Sequence, residues 1–261
     1  MIIVTVSTQR SGTKLLGNCF QNGTIVTPFG EVFNPDVPQL GSFAEFMKAQ
    51  GWQKIHLGNK TVLDDFFAQF QHICNFASVD VMFNQIEIPC VSWNDGGGPY
   101  ALYSYLREAG AFVISLTRDP FDSFVSAKYL SLAGGRAHRK YEEGLSHLET
   151  EAEIDEAEFI EYRDRLLWHR TTLQDDMGAY ELFFELDYSE LVDGVLPPRL
   201  IGAIAEVARS RGMPIDASRI QINRADLEPS GVDYASSFSN YHELRAKHGA
   251  KSSAPKIRKT A

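Results

Sequence analysis

Ile2-Ile3-Val4-Thr5-Val6-Ser7-Thr8-Gln9-Arg10-Ser11-Gly12-Thr13-Lys14-Leu15-Leu16 is the stretch that decides the fold class. Its β-branched beginning predicts a buried strand, and its small, polar, cationic middle predicts a turn. Leu15 to Cys19 then carry a helix that Asn22-Gly23 ends. In an α/β protein such a junction is an anion site. The first N–H groups of the helix lack intrahelical partners and its dipole places partial positive charge there. Ser11 and Thr13 add hydroxyls, Arg10 and Lys14 add charge, and Gly12 allows close backbone approach. The ligand chemistry is that of a phosphate.

The stretch does not fit a magnesium-triphosphate loop, which reads G-x-x-x-x-G-K-[ST]. With Gly12 as the second glycine, the first falls on Ser7, Thr13 stands for the lysine and Lys14 for the metal-binding hydroxyl. A second motif lies farther along. Ala111 to Thr117 reads as a buried strand running into Arg118-Asp119-Pro120, with Pro120 suited to a helix start. Arg118 then falls at the strand end and Ser126 two helical turns later, both candidates for one anion.

These two motifs together resemble the sulfotransferases that use 3′-phosphoadenosine 5′-phosphosulfate (PAPS). Arg10-Ser11-Gly12-Thr13 resembles that family's 5′-phosphosulfate loop, and Arg118 with Ser126 resembles its 3′-phosphate motif, in matching order and strand context. The resemblance covers about half the chain and is closest to bacterial glycolipid or carbohydrate members. It implies a P-loop-like α/β fold, with a central parallel sheet flanked by helices in a single domain. It also implies PAPS as donor, adenosine 3′,5′-bisphosphate as product, and no metal. Arg10 corresponds to the cation that stabilises the departing phosphate. Lys14 stands where the family usually has Thr or Ser and adds a second cation. Tyr188, after Leu182 to Leu186, which reads as another buried strand, corresponds to a tyrosine near the adenine. Arg224, in Ile222-Asn223-Arg224-Ala225-Asp226, corresponds to a C-terminal basic residue that approaches the nucleotide.

Transfer to an acceptor hydroxyl needs a general base. His56 and His72 are the histidines of the interval where soluble members carry theirs. Glu31, in Phe29-Gly30-Glu31-Val32-Phe33-Asn34-Pro35, matches the glutamate of bacterial members and is our candidate, its apolar neighbours raising its proton affinity. Asp80 falls where a family strand often carries lysine, which makes Lys14 a candidate substitute. The alternative function class is a P-loop kinase-like enzyme or a non-catalytic nucleotide binder.

Composition agrees. A chain of 261 residues with 44% hydrophobic content can bury a large α/β core. No apolar run approaches the ~18 residues of a membrane span, and the N-terminal strand lacks the basic region of a signal peptide. Cys19, Cys74 and Cys90 are widely spaced and read as reduced core residues, so the expectation is a cytoplasmic enzyme. A net charge of −9 argues against a nucleic-acid binder. After Leu244 come Arg245, Lys247, Lys251, Lys256, Arg258 and Lys259 without an acid, so 245–261 reads as a basic, solvated tail after a domain over 1–244.

Elsewhere, Ser42 to Gln50 reads as a capped helix, Thr61 to Phe76 as an amphipathic helix and Tyr100 to Glu108 as a helix stopped by Gly110. Residues 24–41 read as loop, and Val79 to Ile88 with Val91 to Trp93 as one or two strands. Tyr141 to Gln174 reads as acidic and mostly helical, with Trp168 in the core and a structural His169. Leu200 to Arg211 reads as a helix ended by Gly212. The phenylalanines of 43–46 and 66–76 suit either an acceptor pocket or helical core packing. The acceptor and the oligomeric state are not encoded in any of these patterns.

Overall fold

A computed structural model describes residues 1–23, 26–34, 42–51, 60–86, 98–132, 152–191, 193–213 and 234–249. Arg224, His56, Cys90, Val91 to Trp93 and residues 250–261 lie outside them. The chain divides into two compact units, Met1–Arg118 with Trp168–Pro229, and Asp119–Leu167 with Ser230–Ala261.

The first unit is built on a five-stranded sheet: β1 (Ile2–Ser7), β2 (Thr27–Glu31), β3 (Ala77–Met82), β4 (Phe112–Thr117) and β5 (Phe183–Asp187), in the order β2-β3-β1-β4-β5. Every described pairing is parallel. Both faces of such a sheet must be covered, which is why β1 and β3 are buried at every position and β4 at all but its last. The expected α/β class, a parallel sheet flanked by helices, is what the chain adopts.

On one face α1 (Thr13–Gly23) and α7 (Pro198–Ser210) pack Leu16, Cys19, Phe20, Leu200 and Ile204 against Ile3, Ile114 and Leu116. Burial raises the Cys19 thiol to about 11, so it behaves as a small apolar side chain. The phenylalanines of α2 (Phe43–Ala49) and α3 (Lys60–Ile73) form a separate aromatic core. Phe66 meets Phe33, Phe43 and Phe70 at centroid separations of 5.5, 5.0 and 5.2 Å. All of these rings are buried, so of the two readings open in the sequence they express core packing. Ser42 caps α2 as expected, its Oγ accepting from the Glu45 amide at 3.3 Å. Ser42→Ala should therefore lower unfolding free energy by about 1 kcal/mol, measured as a shift of the urea midpoint at unchanged slope.

Three readings are corrected. β2 is a strand within the stretch expected to be loop, irregular between Pro28 and Glu31. β5 is a half-exposed strand in which only Leu186 is buried, not a buried strand. Trp168, 53% exposed, is no core residue. α4 (Gly98–Glu108) and α7 stop at Gly110 and Gly212, both at positive φ.

In the second unit, α5 (Pro120–Leu132) packs Phe121, Phe124, Val125 and Tyr129 with Ile154, Phe159, Phe238 and Leu244. Phe159 lies on α6 (Glu156–Met177), and α8 (Tyr234–Ser237) and α9 (Tyr241–His248) complete the described part of the unit. The division expected after Leu244 falls inside α9. There Arg245 pairs with Asp119 and Asp122, each at 2.8 Å, and Lys247 pairs with Glu156 at 2.7 Å. No helix among the described residues is long and apolar enough to cross a membrane.

Candidate functional site

Parallel strands deliver their C-terminal ends to one edge of the sheet, and ligands of open α/β sheets bind where connections leave neighbouring strands in opposite directions. Here the chain leaves β1 toward β2 and β3, and leaves β4 toward β5. The crevice between the ends of β1 and β4 is that switch point. The two segments it receives are Thr8–Gly12 and Arg118.

The loop is held in a tight curl. Arg10 has φ 66° and Gly12 has φ 97°. A non-glycine residue with positive φ costs about 1–3 kcal/mol and persists only where its surroundings impose it. Arg118 supplies the restraint, donating from Nη1 to the Arg10 carbonyl at 2.8 Å. Gly12 then opens α1, its carbonyl accepting from the Leu16 amide at 3.0 Å. Ser11 is fully buried, and its Oγ has no hydrogen-bond partner among the described residues. Thr13 is buried and Lys14 is exposed on the first turn.

Tyr188 closes the loop from β5. A Cβ placed on Gly12 would lie 2.4 Å from Cδ2 and 2.6 Å from Cε2 of that ring. The Arg118 guanidinium sits over the same ring, 4.5 Å from its centroid. Asp187 sets the turn that presents Tyr188: its Oδ1 accepts from the amide and hydroxyl of Ser189 at 2.9 and 2.6 Å. Arg10, Ser11, Gly12, Thr13, Arg118 and Tyr188 are thus brought together as one polar, cationic cluster. Ser126 belongs to the second unit. It is buried on α5 and accepts a 3.1 Å hydrogen bond from the Tyr234 hydroxyl. Asp119 caps α5, accepting from the amides of Phe121 and Asp122 at 2.9 and 3.1 Å.

One residue of this cluster escaped the sequence reading. Arg170 on α6 donates from Nη2 to the Arg118 carbonyl at 2.6 Å. Arg118 is therefore held at its side chain by Arg10 and at its backbone by Arg170. Nothing in Trp168-His169-Arg170 marks that role. His169 lies flat against Phe83, 5.0 Å between centroids and 10° between planes, as a structural histidine does. His72 is exposed in the last turn of α3.

Glu31 stands at the end of β2. Its Oε2 accepts from Asn34 Nδ2 at 2.9 Å and from Gln85 Nε2 at 3.1 Å. In the sheet it is the register partner of Asp80, which in turn pairs with Thr5 of β1. Glu31 therefore lies two strands from β1, about 10 Å across. Asp80 is 8% exposed. Burial raises its carboxyl from 3.8 to about 7, and the charge of Glu31 adds to the rise against a small opposing effect of the Thr5 hydroxyl. An acid inside the apolar run Val79-Asp80-Val81-Met82 was the available signal. Its partner was hidden because only sheet register joins the two.

Among the described residues no group of three or more His, Cys, Asp or Glu side chains is arranged to hold a metal ion. No protein-family model matches the sequence. No curated protein matches it either. Among solved structures, the chain is similar to one titled as the crystal structure of mouse sulfotransferase SULT7A1 complexed with PAP. The identity is 11% and the TM-score 0.42, over 97% of this chain and 86% of that one.

Proposed function

We propose that the chain binds PAPS through the β1–α1 loop and transfers its sulfuryl group to a hydroxyl of a small-molecule, glycolipid or saccharide acceptor. The observation that carries this reading is the curled Arg10–Thr13 loop at the switch point, locked by Arg118 and containing a buried, unpartnered Ser11 hydroxyl. A donor set of guanidinium, hydroxyl and helix N-terminus suits an anionic phosphate, and the Gly-Thr-Lys order does not supply the magnesium hydroxyl of a triphosphate loop.

When bound, PAPS supplies an activated sulfuryl group on a phosphate leaving group. This chain's residues then have distinct tasks. Arg10, Ser11, Gly12 and Thr13 hold the 5′-phosphate, with Arg10 neutralising the charge that develops on the leaving oxygen. Lys14 adds a mobile cation at the same turn. Arg118 binds the 3′-phosphate, Tyr188 contributes to the adenine side and Arg224 adds a further basic contact. Glu31 accepts the acceptor's proton. As in phosphoryl transfer, positioning and charge neutralisation carry most of the rate. Arg10 keeps its charge at every working pH, so it acts electrostatically and not as a proton donor.

Ligand-dependent thermal unfolding tests the reading. Adenosine 3′,5′-bisphosphate without magnesium should raise the midpoint, by a free energy of about 2.7 kcal/mol at a hundredfold excess over Kd. Arg118→Ala should weaken binding about 10- to 100-fold, as expected for a charge-assisted contact. Stabilisation by ATP with magnesium and none by the bisphosphate would establish the kinase-like alternative. Stabilisation by the bisphosphate with no sulfate transferred from labelled PAPS across an acceptor screen would establish a non-catalytic binder.

A further inference from the structure

Gln85 ends the short helical turn Phe83–Gln85 that follows β3. Ser7 and Met82 are register partners, so Gln85 leaves β3 at the edge of the sheet where Thr8–Gly12 leaves β1. It is 3% exposed. Its Nε2 donates to Glu31 Oε2 at 3.1 Å, and Asn34 Nδ2 donates to that same oxygen at 2.9 Å. Both amides thus meet Oε2, and no hydrogen bond among the described residues reaches Glu31 Oε1. A carboxylate only accepts, so the Gln85 amide turns its nitrogen to Glu31 and its oxygen away. That oxygen is buried and has no hydrogen-bond partner among the described residues. Burying an amide oxygen without a donor is unfavourable, and a ligand that brings the donor removes the cost.

We propose that Gln85 selects the acceptor, and that the site takes a molecule with two neighbouring hydroxyls, as on a sugar ring or another polyol. One hydroxyl donates to Glu31 Oε1 and is the reacting one; its neighbour donates to Gln85 Oε1. The inference rests on the reading of Glu31 as the base. The two oxygens are the outer ends of two planar groups joined by one hydrogen bond. Adjacent hydroxyls bridge such a spread, and a lone hydroxyl does not. Selection then follows from desolvation. An acceptor with a single hydroxyl leaves Gln85 Oε1 buried and unpaired, and a site built to hydrogen-bond a substrate hydroxyl rejects the analogue that lacks it. Simple alcohols and phenols are disfavoured for that reason. Asn34 and Gln85 have a further effect on Glu31: by occupying Oε2 they leave Oε1 as the oxygen that faces the acceptor.

Ligand-observed NMR of the full chain without nucleotide tests the selection, with cyclohexanol and the stereoisomers of cyclohexane-1,2-diol as probes. One diol should bind the wild-type chain about tenfold more tightly than cyclohexanol. Gln85→Met is close in volume and has no amide oxygen. It should bring that diol to about the affinity of cyclohexanol, whose own binding stays unchanged. Diols that bind the wild-type chain no better than cyclohexanol overturn the inference without any variant, and so does a diol preference that survives in Gln85→Met. With labelled PAPS, the same substitution should raise KM for the diol about tenfold and leave KM for cyclohexanol alone. A merely structural role of Gln85 would move both alike. Absence of bisphosphate stabilisation would remove the function proposed above and leave the diol preference, read without nucleotide, standing. Bisphosphate stabilisation with sulfate passed equally to diol and cyclohexanol would keep that function and remove the role of Gln85.

Discussion

Gly12→Ala should abolish stabilisation by adenosine 3′,5′-bisphosphate and destabilise the protein by roughly 3 kcal/mol. Two effects combine. The backbone at φ 97° is strained for any residue with a Cβ, and that Cβ would meet the Tyr188 ring at 2.4 Å. The ring cannot withdraw independently because the Arg118 guanidinium lies over it and also grips the Arg10 carbonyl. Moving the ring therefore disturbs the restraint that keeps Arg10 at positive φ. Gly51→Ala separates the two effects: Gly51 has φ 66° and nothing within 4 Å of an added Cβ. It should show the backbone cost alone, about 1 kcal/mol. Equal losses for Gly12→Ala and Gly51→Ala in urea unfolding would show that Tyr188 does not press on the loop.

The stability of the wild-type chain should fall as pH rises from about 4 through about 7, because of Asp80. Its folded carboxyl binds a proton more tightly than the ordinary value of 3.8, releasing it only near 7. Between those values the folded state holds a proton that the unfolded state has lost, so increasing pH favours unfolding. The contribution is fully present below about pH 4 and lost above about 7, with a size of about 4 kcal/mol at most. Asp80→Asn keeps the shape without the charge. It should match wild type near pH 4 and exceed it by a few kcal/mol at pH 8. A stability difference that stays constant from pH 4 to 8 would refute the assignment.

The legible parts of the molecule are those written locally. β1, its loop and α1 follow from a β-branched run, the Arg10-Ser11-Gly12-Thr13 turn and a helix start within sixteen residues of sequence. The Ser42 cap and the helix stops at Gly110 and Gly212 are equally local. β2 was hidden because Pro28 and Gly30 are turn residues in most settings. At the outer position of this sheet Pro28 needs no amide partner, and the irregularity before Glu31 accommodates Gly30. Trp168 misled because helical spacing reports a face without saying whether a neighbour covers it. In the candidate site, the loop and Arg118 were readable from their strand contexts. Arg170 and the Glu31–Asp80 pair depend on contacts between distant elements, and residue type alone cannot announce such contacts.

The position of β1 carries a consequence for how the chain reaches its fold. Its ladder partners are β3, about seventy-five residues on, and β4, which begins at Phe112. During synthesis Ile2–Ser7 leaves the ribosome long before either flank exists. A fully buried strand must wait about seventy-five residues for its first partner and more than a hundred for its second. Sheets closed by such distant pairings fold slowly and expose sticky edges on the way. Refolding from denaturant should accordingly be slow for the chain's size, and the nascent protein should depend on chaperones that shelter extended apolar segments.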